Sequence, residues 1–340
     1  VDNIGGNPLL IREVNIDLVR RVLKEKKQAT KRQMAELTGL SIVTAGTVLN
    51  HLVKQGEAKE AALASSTGGR PALQYVYNDE FALALILFPY ESQGRILIHT
   101  AVVNLYGESV EEADHEADQI ELAVLENIIA PLAEAYSSIK AIGIGLPGAE
   151  YEGRMIISDY AALRDVSVKD HIRLRYGVPV IIENDVNAAV IGFCRRSGAA
   201  PDASGVYLYF PDHYPPGAGV FINGKLYKGR RNFAGEVAHM PLGIPWGEAE
   251  LLASADAFRE AVSRLVIAVS SLLNPDFVVL NGDYIDGALA QAVLEECRAA
   301  LPLSAVPELL RSDDFRSDYT AGMVEQTLQL LAPQIIITKS

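Results

Sequence analysis

Residues 30–54 read TKRQMAELTGLSIVTAGTVLNHLVK, and this stretch decides the fold of the first part of the chain. Thr30 and Gln33 have the spacing of a capping box, in which hydroxyl and amide each satisfy an orphan backbone N–H at a helix start. A short helix from Lys31 to Thr38 follows from that spacing. Gly39-Leu40 then makes a tight turn, and Ser41 is suited to cap a further helix running to about Lys54, which Gly56 stops. In that helix Val48, Leu49 and Leu52 share an inward face, while Thr44, Thr47, Asn50 and His51 stay polar. A short helix, a turn and a second capped helix make a helix-turn-helix, whose second helix is built to enter a major groove.

The flanks agree with this reading. Upstream, Val14, Leu18, Val22 and Leu23 recur at helical spacing and predict a first helix from about Asn15 to Lys26. Downstream, residues 57–77 alternate loosely around the tip Ser65-Ser66-Thr67-Gly68-Gly69-Arg70-Pro71, as two strands of a wing would. Arg70 sits where a wing reaches phosphate or a narrow minor groove. Residues 1–78, the expected winged-helix domain, hold 11 Lys+Arg against 7 Asp+Glu, a local charge of +4. The remainder holds 19 against 36, or −17, and together they give the net −13. A basic head on an acidic body is the asymmetry expected when only one module meets phosphate. Ser41, Thr44, Thr47, Asn50, His51 and Arg70 are therefore the candidate DNA contacts, although the same geometry also serves protein contacts elsewhere.

The longest continuous apolar stretch, Phe81 to Phe88, is cut by Pro89 and is far shorter than the roughly 20 residues that span a bilayer. No secretory signal is visible at the start of the sequence, so the expected location is the cytoplasm, away from membranes. Cys194 and Cys297 stand 103 residues apart, and the expectation for both is a buried free thiol.

From Lys140 onward strands alternate with helices, the pattern of an α/β fold. Here the chain resembles the ROK family of bacterial sugar kinases and their repressor relatives. The resemblance rests on Gly39-Leu40-Ser41, Gly69-Arg70-Pro71, Ile142 to Gly148, Val180 to Ala189, Ala234 to His239 and Leu273 to Gly282, in the family order. It implies an actin-like, two-lobed body. The first lobe is expected over residues 79–198, with a C-terminal helix at about 318–332 returning to it, and the second over residues 199–317. It also implies a sugar site made by Asn184, Asp185, Glu236, His239 and, by the spacing Glu-x-x-Ala-Ser, Glu250. The chemistry is sensible in its own right, because carboxylates accept strongly from sugar hydroxyls while Asn and neutral His can donate or accept. Read one at a time, Asn184-Asp185 could simply cap a helix, and His239 could be a core histidine.

The departures from the family pattern are as informative as the matches. A kinase of this family opens its body with an Asp-x-Gly-Gly-Thr phosphate turn, where this chain has Leu85 to Gly94 with neither the glycine pair nor the aspartate. The family's second phosphate turn is glycine-rich. Here Phe210 to Gly219 contains Pro211, Pro215 and Pro216, which remove three N–H donors from a phosphate cradle. The family's zinc-binding cysteines would fall between His239 and Glu250, and that segment has none. The sequence therefore points to a regulator rather than an enzyme, with no cofactor and no metal. Its expected partners are double-stranded operator DNA, a monosaccharide or sugar-derivative effector, and a second copy of itself.

Overall fold

Thr30 performs the capping inferred from the sequence: its hydroxyl accepts from the Gln33 N–H, and the Gln33 amide accepts from the Thr30 N–H. In this computed structural model, which describes residues 8–62, 73–152, 154–158, 160–212 and 214–332, the cap opens the helix-turn-helix. The order is α1 (Pro8–Lys26), β1 (Gln28–Thr30), α2 (Lys31–Thr38), α3 (Ile42–Gln55), β2 (Ala58–Ala62) and β3 (Leu73–Tyr77). Ser41 caps α3 by accepting from the Thr44 N–H at 3.1 Å. The strands form a sheet of order β1-β3-β2, so the short break after α1 is itself a strand.

The core of this unit contains Leu23, Met34, Leu49, Leu52 and Tyr75, all fully buried. Helix α1 starts earlier than its periodicity suggested, and its buried stripe is Ile16, Val19 and Leu23, with Val14 left 45% exposed. Residues 65–71, the tip with Arg70, lie outside the described residues.

The chain divides into two compact units. One takes in the first 83 residues with Asn104–Glu108; the other comprises Ala84–Val103 and Ser109–Leu330. Within the first unit Tyr106 packs edge-on against Tyr77 and donates its hydroxyl to the Lys24 carbonyl at 3.0 Å.

The second unit contains β4 (Leu83–Ser92), β5 (Arg95–Val103), β6 (Ser109–Ala117), α4 (Leu122–Ala135), β7 (Ile139–Gly145), the small β8 (Gly148–Tyr151) and β9 (Arg154–Ser158) hairpin, α5 (Val168–Tyr176), β10 (Val180–Glu183) and α6 (Asp185–Ser197). It continues with β11 (Gly205–Tyr209), β12 (Gly217–Ile222), β13 (Lys225–Leu226), α7 (Ala249–Ala253), α8 (Ala255–Leu273), β14 (Phe277–Asn281), α9 (Gly287–Ala300), β15 (Glu308–Arg311) and α10 (Phe315–Gln329). Its two main sheets share one plan, β10-β7-β4-β5-β6 and β13-β12-β11-β14-β15: three consecutive strands as a meander, then two more added on the first strand's free edge. That duplicated α/β layout is the actin-like body.

Helix α10 packs on α6 and on β7. The crossing is tight because glycines stand where the backbones meet. A Cβ on Gly322 would lie 1.8 Å from the Ala188 carbonyl oxygen, and one on Gly192 would lie 1.9 Å from that of Asp318. Asp318 is fully buried at this crossing, accepting from the Tyr207 and Ser312 hydroxyls and facing Arg196 at 3.5 Å. Burial raises its pKa above the usual carboxylate value, although these partners oppose the shift. Cys194 and Cys297 are buried free thiols, and burial pushes both up to about 11. Among the described residues no helix is long and apolar enough to cross a membrane.

Candidate functional site

Strand β10 ends on Glu183, and the chain turns directly into α6. Asn184 caps that helix, its side-chain oxygen accepting from the Val186 and Asn187 N–H groups at 3.0 Å each, while its Nδ2 donates to the Gly148 carbonyl at 3.1 Å. The carboxamide is thus engaged in holding the helix start to the β8 turn. Asp185 follows in the first turn, where the helix dipole favours a negative charge. Glu183 beneath them is 2% exposed and forms an ion pair with Lys228 at 2.6 Å.

These residues line one wall of a cleft of about 1300 Å³ between the two sheets. Glu236 and His239, before and within the short turn Val237–His239, line the same cleft. His239 is exposed, its ring 5.8 Å from that of Phe233. Four of the five sequence-predicted sugar contacts therefore converge. Glu250 does not join them: it is exposed on α7 and is not among the lining residues.

Sequence reasoning missed the aromatic floor of the cleft. Phe88 packs on Tyr319 with centroids 4.2 Å apart, and Tyr209 stacks on Phe315 at 3.9 Å and 11°. The Tyr319 hydroxyl is buried without a hydrogen-bond partner, and burial raises its pKa well above the ordinary phenol value. Beside this floor Arg316 lies over the Tyr90 ring at 4.2 Å and grips Asp114 at 2.8 and 3.1 Å. Burial works against Asp114 ionising, yet hydrogen bonds from His99 and Arg316 outweigh it and hold the carboxyl below its usual range.

The two segments that the resemblance aligns with phosphate turns, Leu85 to Gly94 and Phe210 to Gly219, are described except at His213. Leu85 to Ser92 is continuous strand, paired residue by residue with β5 as far as Ser92 opposite Arg95. Gln93 and Gly94 close the hairpin with φ of 52° and 72°, as a two-residue primed turn does. The second segment is the connection from β11 to β12, whose Pro211, Pro215 and Pro216 line the cleft. Between His239 and Glu250, Met240, Leu242, Ile244 and Trp246 pack against a core that includes Val206, Leu208, Leu265, Val278 and Leu280. Trp246 also lines the cleft.

In the first unit, most of the predicted DNA contacts have internal tasks. Ser41 and Thr44 hydroxyls bond each other at 2.9 Å, Thr47 donates to the Val43 carbonyl, and Asn50 accepts from the Tyr75 hydroxyl at 2.9 Å. His51 is half-buried. The side chains that stand clear at the start of α3 are apolar, Ile42 at 57% and Val43 at 79% exposure.

Comparison with known proteins agrees with this architecture. The chain is 26% identical over 316 residues to a putative xylose repressor of Caldicellulosiruptor sp., a stretch covering 87% of this chain and 77% of that one. It is 26% identical over 237 residues to the xylose repressor of Bacillus subtilis, covering 68% of this chain and 61% of its relative. A solved ROK family transcriptional regulator, a homologue of the Escherichia coli Mlc protein, superposes with a TM-score of 0.67 at 18% identity over 94% of this chain and 97% of its own. The model of the ROK family itself matches residues 93–251, a stretch that includes Asn184, Asp185, Glu236 and His239.

Proposed function

We propose that this protein is a sugar-responsive, DNA-binding transcriptional regulator, acting as a repressor of carbohydrate-metabolism genes, whose body carries out no phosphoryl transfer. The observation that carries the reading is the contrast inside one cleft. Asn184, Asp185, Glu236 and His239 remain on its walls, while a continuous hairpin and a three-proline connection occupy the places of both phosphate turns. Phosphoryl transfer depends on gathered N–H donors and cations around the phosphates. A strand paired with β5 has committed the N–H groups that face its partner, and proline has none.

Residues 1–78 would serve as the DNA-binding domain, with α3 in the major groove and the wing on the backbone. Asp185 would then act as an acceptor for sugar hydroxyls rather than as a general base. The sugar would influence DNA binding only by preferring one conformation of the body over another. A homodimer on a two-fold symmetric operator is the arrangement such a head implies. The relatives named as repressors support this reading.

A thermal-shift screen of the full chain against monosaccharides, with and without ATP and magnesium, tests it. One sugar is expected to stabilise the protein, with no ATP hydrolysis in its presence. Sugar-dependent turnover of ATP would overturn the reading. A second reading, in which the body is a platform for another protein and takes no sugar, gains from the use of Asn184 as a cap and from Glu250 lying off the cleft. Direct binding of any monosaccharide in the cleft separates the two.

A further inference from the structure

The cleft's charges are unevenly matched. Its lining includes Glu91, Asp185, Asp212, Glu236 and Asp283, placed on β4, α6, the β11–β12 connection, the turn before Val237 and the loop after β14. Among the described residues only two lysines or arginines share that lining, Lys228 and Arg316. Lys228 is paired with the buried Glu183 at 2.6 Å, and Arg316 is held by both oxygens of Asp114 while its plane covers Tyr90. Moving either cation to a new anion would strand a carboxylate, and in the case of Glu183 a buried one.

Resting on the sugar reading above, we propose that the cleft takes a free, unphosphorylated sugar and excludes the corresponding sugar phosphate. A phosphate ester brings nearly two negative charges into a lining where carboxylates outnumber lysines and arginines and those cations are already committed, so the lining opposes it. The free sugar meets Asp185 and Glu236 as hydrogen-bond acceptors and gains from them, while Asp212 and Asp283 act only through their charge. Tyr209 reports the same field. After burial, the effects that hold its hydroxyl protonated are the charges of Asp185, Asp283, Asp212 and Glu91, which therefore converge on one ring of the floor. Asp185 and Glu236 thus recognise the sugar's hydroxyls, while the whole set of carboxylates selects against the ester.

The test titrates the full chain calorimetrically with xylose, glucose and N-acetylglucosamine, each beside its own terminal phosphate ester, at about 50 mM and about 500 mM salt. The sugar that binds is expected to do so at least about 10-fold more tightly than its ester at low salt, with the gap narrowing at high salt as repulsion is screened. The double variant Asp212→Asn/Asp283→Asn changes two exposed loop residues outside the proposed sugar contacts. It is expected to leave the free sugar's affinity within about twofold and to tighten the ester at least about threefold. An ester that binds as tightly as its parent sugar, or tighter, overturns the inference and leaves the sugar reading standing. Failure of every sugar and every ester to bind overturns the sugar reading and this inference with it.

Discussion

Helix α3 and the cleft meet solvent in opposite ways. The exposed start of α3 carries Ile42, Val43 and small hydroxyl side chains with no acidic residue between Ser41 and Gln55, and the flanking α2 begins with Lys31-Arg32. The cleft presents carboxylates and keeps its cations paired. A net charge of −13 describes neither surface. One chain can hold a region suited to a polyanion and another that repels small anions, because at physiological salt an exposed charge acts mainly within roughly 8–10 Å of itself. In this account the head reads DNA, the cleft reads a neutral sugar, and phosphate is attracted by the first and refused by the second.

The comparison breaks most severely if the two units cannot be damaged separately. Leu49 is fully buried in the head, and truncating it to alanine should cost about 2–5 kcal/mol there. Leu49→Ala is expected to abolish operator binding and hydrogen-exchange protection in α2 and α3 while leaving sugar affinity of the full chain unchanged. Loss of sugar binding in that variant would contradict the independence of the cleft.

The reciprocal experiment is smaller. Gly322→Ala pushes a Cβ into the Ala188 carbonyl where α10 crosses α6, and overpacking of this kind costs about 1–3 kcal/mol. Calorimetry should show a lowered body transition and weaker sugar binding, because α6 presents Asp185. An unchanged body transition would mean that the crossing is less rigid than its geometry indicates.

The smallest effect sharpens the head's side of the comparison. If Val43 meets a thymine methyl, replacing thymine by uracil at that one operator position removes about 0.8 kcal/mol, close to fourfold in affinity. With Val43→Ala the two operators should bind alike. Indifference of the wild-type protein to every thymine methyl would remove Val43 from the reading surface.

These regions also differ in how far the sequence disclosed them. The boundaries of α2 and α3 were legible because Thr30, Gln33 and Ser41 act on backbone groups within three residues, so the structural cause is local. Helix α1 was less so, since Pro8 at its first position has no apolar periodicity to announce it. Strand alternation was read only from Lys140, although the first sheet begins at Leu83. Strand β6, SVEEADHEA, is a charged and largely exposed edge strand, which hides its pairing while discouraging association with other edges.

In the cleft, Asn184 and Asp185 were legible as neighbours at a strand-to-helix turn. Glu250 was placed by counting across a segment that had lost the family's cysteines, and such counting fails once that segment repacks as Met240 to Trp246 has. The floor was beyond a local reading, because Phe88 and Tyr319 are brought together from positions 231 residues apart. The cation pairings, Lys228 with Glu183 and Arg316 with Asp114, are also purely tertiary.

The central claim is that the cleft senses a sugar through groups a kinase would use, and that this sensing reaches the DNA. Titrating the sugar that stabilises the protein into complexes of an operator with wild-type chain and with Asp185→Asn tests it most directly. Loss of one charge-assisted hydrogen bond costs about 1.5–3 kcal/mol, so the variant should bind the operator as the wild type does and need about 10- to 150-fold more sugar for the same response. Equal sugar responses from the two proteins would contradict the account.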